Sequence, residues 1–183
     1  FDKDGNEVEV TSVSEVGEDN PYYSLDVEDI DTYFTSEILV HNIPPRKCFT
    51  GDTMITLADG TYENIQKIKP GTEIKTYDVE TGKLQNSVVG EITKIRHDNL
   101  VKYKFSDNTE IKATDDHPFY VGGDYKAPLE VGDEVLNDEL NKVNVVKVEK
   151  LDLHEITYNI DNTNNGKNYF ANRVLVSDES EDT

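Results

Sequence analysis

Basic residues, cysteines and long apolar runs are all scarce in this 183-residue sequence. Eighteen Lys and Arg stand against 38 Asp and Glu, a formal net charge of −20. A field of that sign repels phosphate backbones and anionic membranes, so neither nucleic acid nor a membrane surface is expected as a partner. No apolar run approaches the roughly 18–20 residues needed to span a bilayer, and no signal peptide opens the chain. A soluble chain is therefore expected, with no compartment assigned. Phe1 is followed at once by charged residues, as expected of a segment inside a longer precursor. The single cysteine, Cys48, excludes an intrachain disulfide. His41, His97, His117 and His154 show no ligand-type clustering, so no structural zinc and no other cofactor is expected. The lone thiol is left with two readings, a chemical role or that of a small buried apolar group.

Helical signals are also nearly absent. Met54–Ala58, Glu73–Val79, Val88–Arg96, Val101–Phe105, Thr109–Ala113, Val143–Val148 and Ile156–Ile160 are rich in Val, Ile, Thr and Tyr and read as strands. Turn pairs lie between them: Asp59–Gly60, Pro70–Gly71, Thr81–Gly82, Gly122–Gly123 and Gly132–Asp133. That rhythm predicts an all-β fold of short strands and turns, with one helical turn over Ile65–Ile68. The hydrophobic content of 35% supports a core if the strands alternate inside and outside residues.

Two features organise the chain. Ile43–Pro44–Pro45–Arg46–Lys47 reads as a stiff extended connector, because consecutive prolines fix φ and exclude helix. An internal repeat flanks the region after it. Tyr33–Phe34 and Ile38–Leu39–Val40 match Tyr169–Phe170 and Val174–Leu175–Val176 at a constant offset of 136. Upstream, Tyr23–Ser24–Leu25 matches Tyr158–Asn159–Ile160. The expected division is residues 1–42, the connector 43–47, a domain over 48–178, and an acidic tail over 179–183.

Three motifs carry chemistry. Cys48 opens Cys48–Phe49–Thr50–Gly51–Asp52–Thr53, about seventy residues later comes Thr114–Asp115–Asp116–His117, and the first copy of the repeat ends Val40–His41–Asn42. Taken in order, they resemble the Hint superfamily, shared by inteins, bacterial intein-like domains and Hedgehog autoprocessing domains. The resemblance covers residues 48–178, and residues 1–42 resemble the family's last segment alone. It implies a horseshoe-shaped, pseudo-twofold all-β fold and single-turnover self-processing with no external substrate. The partners it implies are the chain's own flanking segments, with water or an external thiol as resolving nucleophile.

By that resemblance Cys48 attacks the carbonyl of Lys47 in an N-to-S acyl shift, Thr114 orients the scissile peptide, and His117 protonates the departing amide nitrogen. A histidine suits such a task because its ordinary pKa lies near neutrality. Asn42, assisted by His41, is the expected site of succinimide formation and of a cut after itself. Ile43 follows it, so no Cys, Ser or Thr is present to accept an acyl group, and the expected outcome is cleavage without ligation. Where His41–Asn42 would recur, the second copy has Ser177–Asp178, and Asn159 stands where the family often has an acidic residue. Residues 1–42 are then the tail of an upstream Hint domain, an element docking into the domain at Cys48, or an inert relic. A reading from another class remains beside these: a non-reactive Hint scaffold serving as a structural or interaction module, as in a phage or surface assembly protein. His97 and His154 carry no motif and read as surface or strand histidines. The acidic pairs Asp115–Asp116 and Asp133–Glu134 read as solvated turns, and Asp2–Glu7 as a turn and not a calcium loop.

Overall fold

The computed structural model describes residues 32–35, 38–41 and 47–178. The chain divides into two units, residues 1–46 and 47–183. In the first, β1 (Thr32–Thr35) and β2 (Ile38–His41) form an antiparallel hairpin pairing Tyr33 with Val40 and Phe34 with Leu39. The side chains of this hairpin lie outside the described residues. So do residues 1–31, Asn42, most of the Pro-Pro connector and the acidic tail.

The second unit is built almost wholly of strands. These are β3 (Phe49–Thr50), β4 (Met54–Thr56), β5 (Tyr62–Asn64), β6 (Glu73–Asp78), β7 (Lys83–Val88), β8 (Glu91–His97), β9 (Leu100–Phe105) and β10 (Glu110–Thr114). They continue with β11 (Phe119–Val121), β12 (Asp124–Lys126), β13 (Glu134–Leu136), β14 (Lys142–Lys150), β15 (Glu155–Asp161), β16 (Asn168–Ala171) and β17 (Val174–Ser177). The one helical element among the described residues is a 3-10 turn over Ile65–Lys67, at the place the sequence indicated. No helix among the described residues is long and apolar enough to cross a membrane.

Thirteen strands form one continuous system, ordered β5-β4-β16-β17-β11-β13-β14-β9-β10-β3-β15-β8 with β12 against β11, and β6-β7 makes a separate ribbon. The nine-residue β14 joins the two halves, pairing with β13 through Val143 and with β9 from Val145 onward. Its register shifts between Val145 and Lys147, and the extra residue of this bulge bends the strand from one sheet into the other. The β16-β17 hairpin pairs Tyr169 with Val176 and Phe170 with Leu175, the same register as the β1-β2 hairpin 136 positions earlier.

The core is aromatic at its centre. Phe49 packs edge-on against Phe119 and Tyr169, with ring centroids 6.3 and 6.2 Å away, and Phe119 meets Tyr103 at 5.4 Å. Around them lie Ile55, Ile74, Ile111, Leu129, Val135 and Val174, all buried. Apolar burial of this kind is the main favourable term in folding.

One expected strand is divided. Val88–Arg96 reads as a single run, yet β7 ends at Val88 and β8 begins at Glu91. Gly90 sits against the backbone of Asn162, where a β-carbon would collide with the Asn162 carbonyl oxygen. The chain turns there from the ribbon into the main sheet. Gly90→Ala should therefore destabilise the domain by about 1–3 kcal/mol, read as a lower urea midpoint. An unchanged midpoint would show that the contact yields without cost.

Candidate active site

The site begins with a two-residue strand. β3 lies in the interior of the sheet, with Phe49 paired to Ala113 of β10 on one side and to Tyr158 of β15 on the other. Cys48 directly precedes it and is fully buried. Two hydrogen bonds fix Cys48 to Thr114, 66 residues away: the Cys48 amide donates to Thr114 Oγ1 at 3.1 Å, and the Thr114 amide donates to the Cys48 carbonyl at 2.9 Å. The bond from the Cys48 amide holds the nitrogen of the Lys47–Cys48 peptide, and it explains the need for a hydroxyl at position 114.

The spacing of Thr114 and His117 is that of a single β-turn. The His117 amide donates to the Thr114 carbonyl at 3.1 Å, closing residues 114–117. Asn99 braces the turn: its carbonyl accepts from the Asp115 amide at 3.0 Å, and its Nδ2 donates to Asp115 Oδ1 at 2.8 Å. The turn directs His117 inward, where its ring lies 4.0 Å from that of Phe49 and is fully buried. Nε2 faces Asn159 Oδ1 at 3.4 Å, and Nδ1 faces the Pro118 carbonyl at 3.3 Å. Burial, joined by a smaller effect of the Lys47 ammonium, holds the His117 pKa down to about 3 against the pull of these two acceptors.

An open cleft of about 580 Å³ adjoins the site, lined by Lys47, Asp115, Asp116, Tyr125 and Pro128 among others. It opens to solvent beside Lys47, whereas the Cys48 thiol is covered. Among the described residues no group of three or more His, Cys, Asp or Glu could hold a metal ion.

Cys48, Thr114 and His117, singled out by sequence, are thus brought together around β3. His41 ends β2, but its side chain lies outside the described residues, as does all of Asn42. His154 stands exposed just before β15. His97 ends β8, as a strand histidine should, but it is buried and not at the surface. Its Nδ1 lies 2.6 Å from Thr157 Oγ1, whose own proton goes to the Ile95 carbonyl at 2.8 Å.

Sequence reasoning treated Asn159 as a departure and did not select Tyr169 or Asp161. Asn159 Oδ1 accepts from the Tyr169 hydroxyl at 2.5 Å, and its Nδ2 donates to Asp161 Oδ1 at 2.9 Å. Thr157, Asn159 and Asp161 recur at period two on β15 and are all buried. A polar row on an inward strand face is the signal that marks them.

The buried ring has a consequence for acid stability. With a folded value of about 3 and an ordinary value of 6.5, the unfolded chain binds a proton between those pH values that the folded chain refuses. This contribution is complete above pH 6.5 and is lost as pH falls toward 3, at up to about 1.4 kcal/mol per unit. Urea midpoints at pH 4.5 and 7 should therefore differ more for the wild-type chain than for His117→Gln. Equal differences would mean that the ring is not held neutral by burial.

Comparison with known proteins agrees with this geometry. A family model described as the pretoxin HINT domain matches residues 54–176. The chain is similar to the solution structure of a bacterial intein-like domain from Clostridium thermocellum, with 30% identity, a TM-score of 0.65, and 72% of this chain and 99% of that one covered. A DnaB intein from Synechocystis sp. PCC 6803 superposes with a TM-score of 0.66 at 21% identity, covering 72% and 98% of the two chains. The gp41-1 intein superposes at 0.62 with 19% identity, covering 72% and 98%. No curated protein matches the sequence significantly. The all-β architecture is the Hint fold, and the general type of activity that goes with it is autoprocessing. The chain belongs to the pretoxin HINT domain family.

Proposed function

We propose that residues 47–178 form a self-cleaving domain acting once on the peptide bond between Lys47 and Cys48. The observation that carries this reading is the paired hydrogen bonding of Cys48 and Thr114, which fixes the amide nitrogen that must leave. Cys48 Sγ attacks the Lys47 carbonyl carbon. A C–S bond forms, the C–N bond breaks, and the thiol proton ends on the α-amino nitrogen of Cys48. His117 carries that proton. Water or an external thiol then cleaves the thioester and regenerates the Cys48 thiol, separating residues 1–47 from residues 48–183. The family's description as a pretoxin domain fits a processing step in the maturation of a precursor.

Cleavage at the far end is not part of this reading. Asp178 is fully buried, and its Oδ2 accepts from the Thr163 amide at 2.9 Å and the Thr163 hydroxyl at 2.5 Å. A carboxylate held as an acceptor makes a poor nucleophile toward its own carbonyl. The His41–Asn42 pair remains a second proposed cleavage site, acting by succinimide formation independently of Cys48. One observation favours the inert-scaffold alternative: the Cys48 thiol is covered, so a resolving nucleophile has to enter beside Lys47.

Intact-protein mass spectrometry separates these readings. With dithiothreitol or hydroxylamine, fragments 1–47 and 48–183 should accumulate from the wild-type chain and be absent from Cys48→Ala, while His117→Ala should slow their formation by about 10²–10⁴-fold. A thiol-independent cut after Asn42 would establish the second site. A chain that stays whole for days at neutral pH would leave only the scaffold reading.

A further inference from the structure

The ring of His117 faces a hydrogen-bond acceptor at each nitrogen, Asn159 Oδ1 at Nε2 and the Pro118 carbonyl at Nδ1. A neutral imidazole has one proton for these two acceptors, so one bare nitrogen must face an oxygen lone pair. An imidazolium satisfies both. Rotating the Asn159 amide by half a turn would remove the conflict, since Nδ2 would then donate to Nε2 while Nδ1–H donated to Pro118. The neutral ring would be fully satisfied and would have little reason to hold a second proton.

Asp161 prevents that rotation. It lies two positions along β15 on the same strand face, and its Oδ1 accepts from Asn159 Nδ2 at 2.9 Å. The flipped amide would direct its own oxygen at this carboxylate, an acceptor against an acceptor. Asp161 is itself held by Thr93 of β8, whose hydroxyl donates to Oδ2 at 2.5 Å. The Tyr169 hydroxyl, donating to Asn159 Oδ1, reinforces the same orientation. A chain of oriented groups therefore runs from the sheet edge at β8, through β15, to the imidazole.

We propose that Asp161 is a positioning residue for the cleavage reaction: through Asn159 it keeps an acceptor aimed at Nε2 and so equips His117 to carry a proton. The assignment rests on the self-cleavage reading for its use, but not for its geometry. A negative charge is kept one residue away from the ring, and a neutral amide transmits its orientation. The titratable groups around the ring are Cys48 and Lys47 ahead of β3, Asp115 and Asp116 in its own turn, Tyr169 on β16, and Asp161 behind Asn159. Of these, Asp161 alone is bonded to Asn159 Nδ2 and so sets which end of the amide meets the ring.

The test uses the full chain in two forms. In the unreactive Cys48→Ala form, long-range ¹H–¹⁵N NMR reads the protonated ring nitrogen of His117 at neutral pH. With Asp161 present Nε2 should carry the proton in a detectable share of molecules, and in Asp161→Asn, where the partner can donate as well as accept, the proton should collect on Nδ1. In the reactive form, Asp161→Asn should slow thiol-dependent cleavage at least tenfold. Asn159→Asp combined with Asp161→Asn puts a permanent acceptor at Nε2 and should recover the rate to within about threefold of wild type. An unchanged tautomer in a folded Asp161→Asn protein would overturn the proposal, as would a double variant no faster than the single one. If the wild-type chain does not cleave at all, the self-cleavage reading falls, and the tautomer measurement still decides whether Asp161 orients the ring.

Discussion

The two hydrogen bonds between Cys48 and Thr114 are the constraint on which the rest of the site depends. They bring the chain into the middle of a sheet as a strand of two residues, flanked by β10 and β15. So short an element cannot be positioned by its own pairing. Its place comes from Thr114 on one side and from the packing of Phe49 among Phe119, Tyr169 and the His117 ring on the other. The peptide bond preceding Cys48 is held by the same contacts that complete the core, so folding and assembly of the site are one event.

Burial sets the electrostatics. Although the chain carries a net charge of −20, the group facing the imidazole at Nε2 is the neutral amide of Asn159 and not a carboxylate. The nearest acid on that strand, Asp161, lies one amide further back. Desolvation then dominates and keeps His117 neutral, while the acceptors around it oppose that effect only in part. The buried polar side chains of β15 are hydrogen-bonded to one another and to Tyr169, Thr93 and His97, which lets them occupy the inward face of a core strand without a large desolvation cost. The same economy applies to Asp178, whose carboxylate is engaged by Thr163.

Strand positions, turn pairs and the 3-10 turn at Ile65–Lys67 were legible because β-branched runs and Gly- or Asp-containing turns are local signals. The break at Gly90 was not legible: it comes from the approach of Asn162, 72 positions later in the sequence, which composition does not record. The period-two row Thr157, Asn159, Asp161 was present in the sequence but was read against a family pattern, so Asn159 appeared as a loss and its partner was overlooked. His97, read as a surface or strand histidine, does end a strand; its burial was not legible because it depends on Thr157 across the β8-β15 pair.

The sequence by itself determined the all-β class and the β16-β17 hairpin with its earlier counterpart, and it singled out Cys48, Thr114 and His117 as candidate site residues. These follow from side-chain identity and short-range periodicity. Tertiary structure alone decided that the Cys48 amide meets the Thr114 hydroxyl, that the imidazole is buried between two acceptors, and that Asp178 accepts from Thr163 instead of standing free. Each of those outcomes depends on which strands become neighbours. Strand order is fixed by packing of the whole core and the bend of β14, not by any segment taken alone.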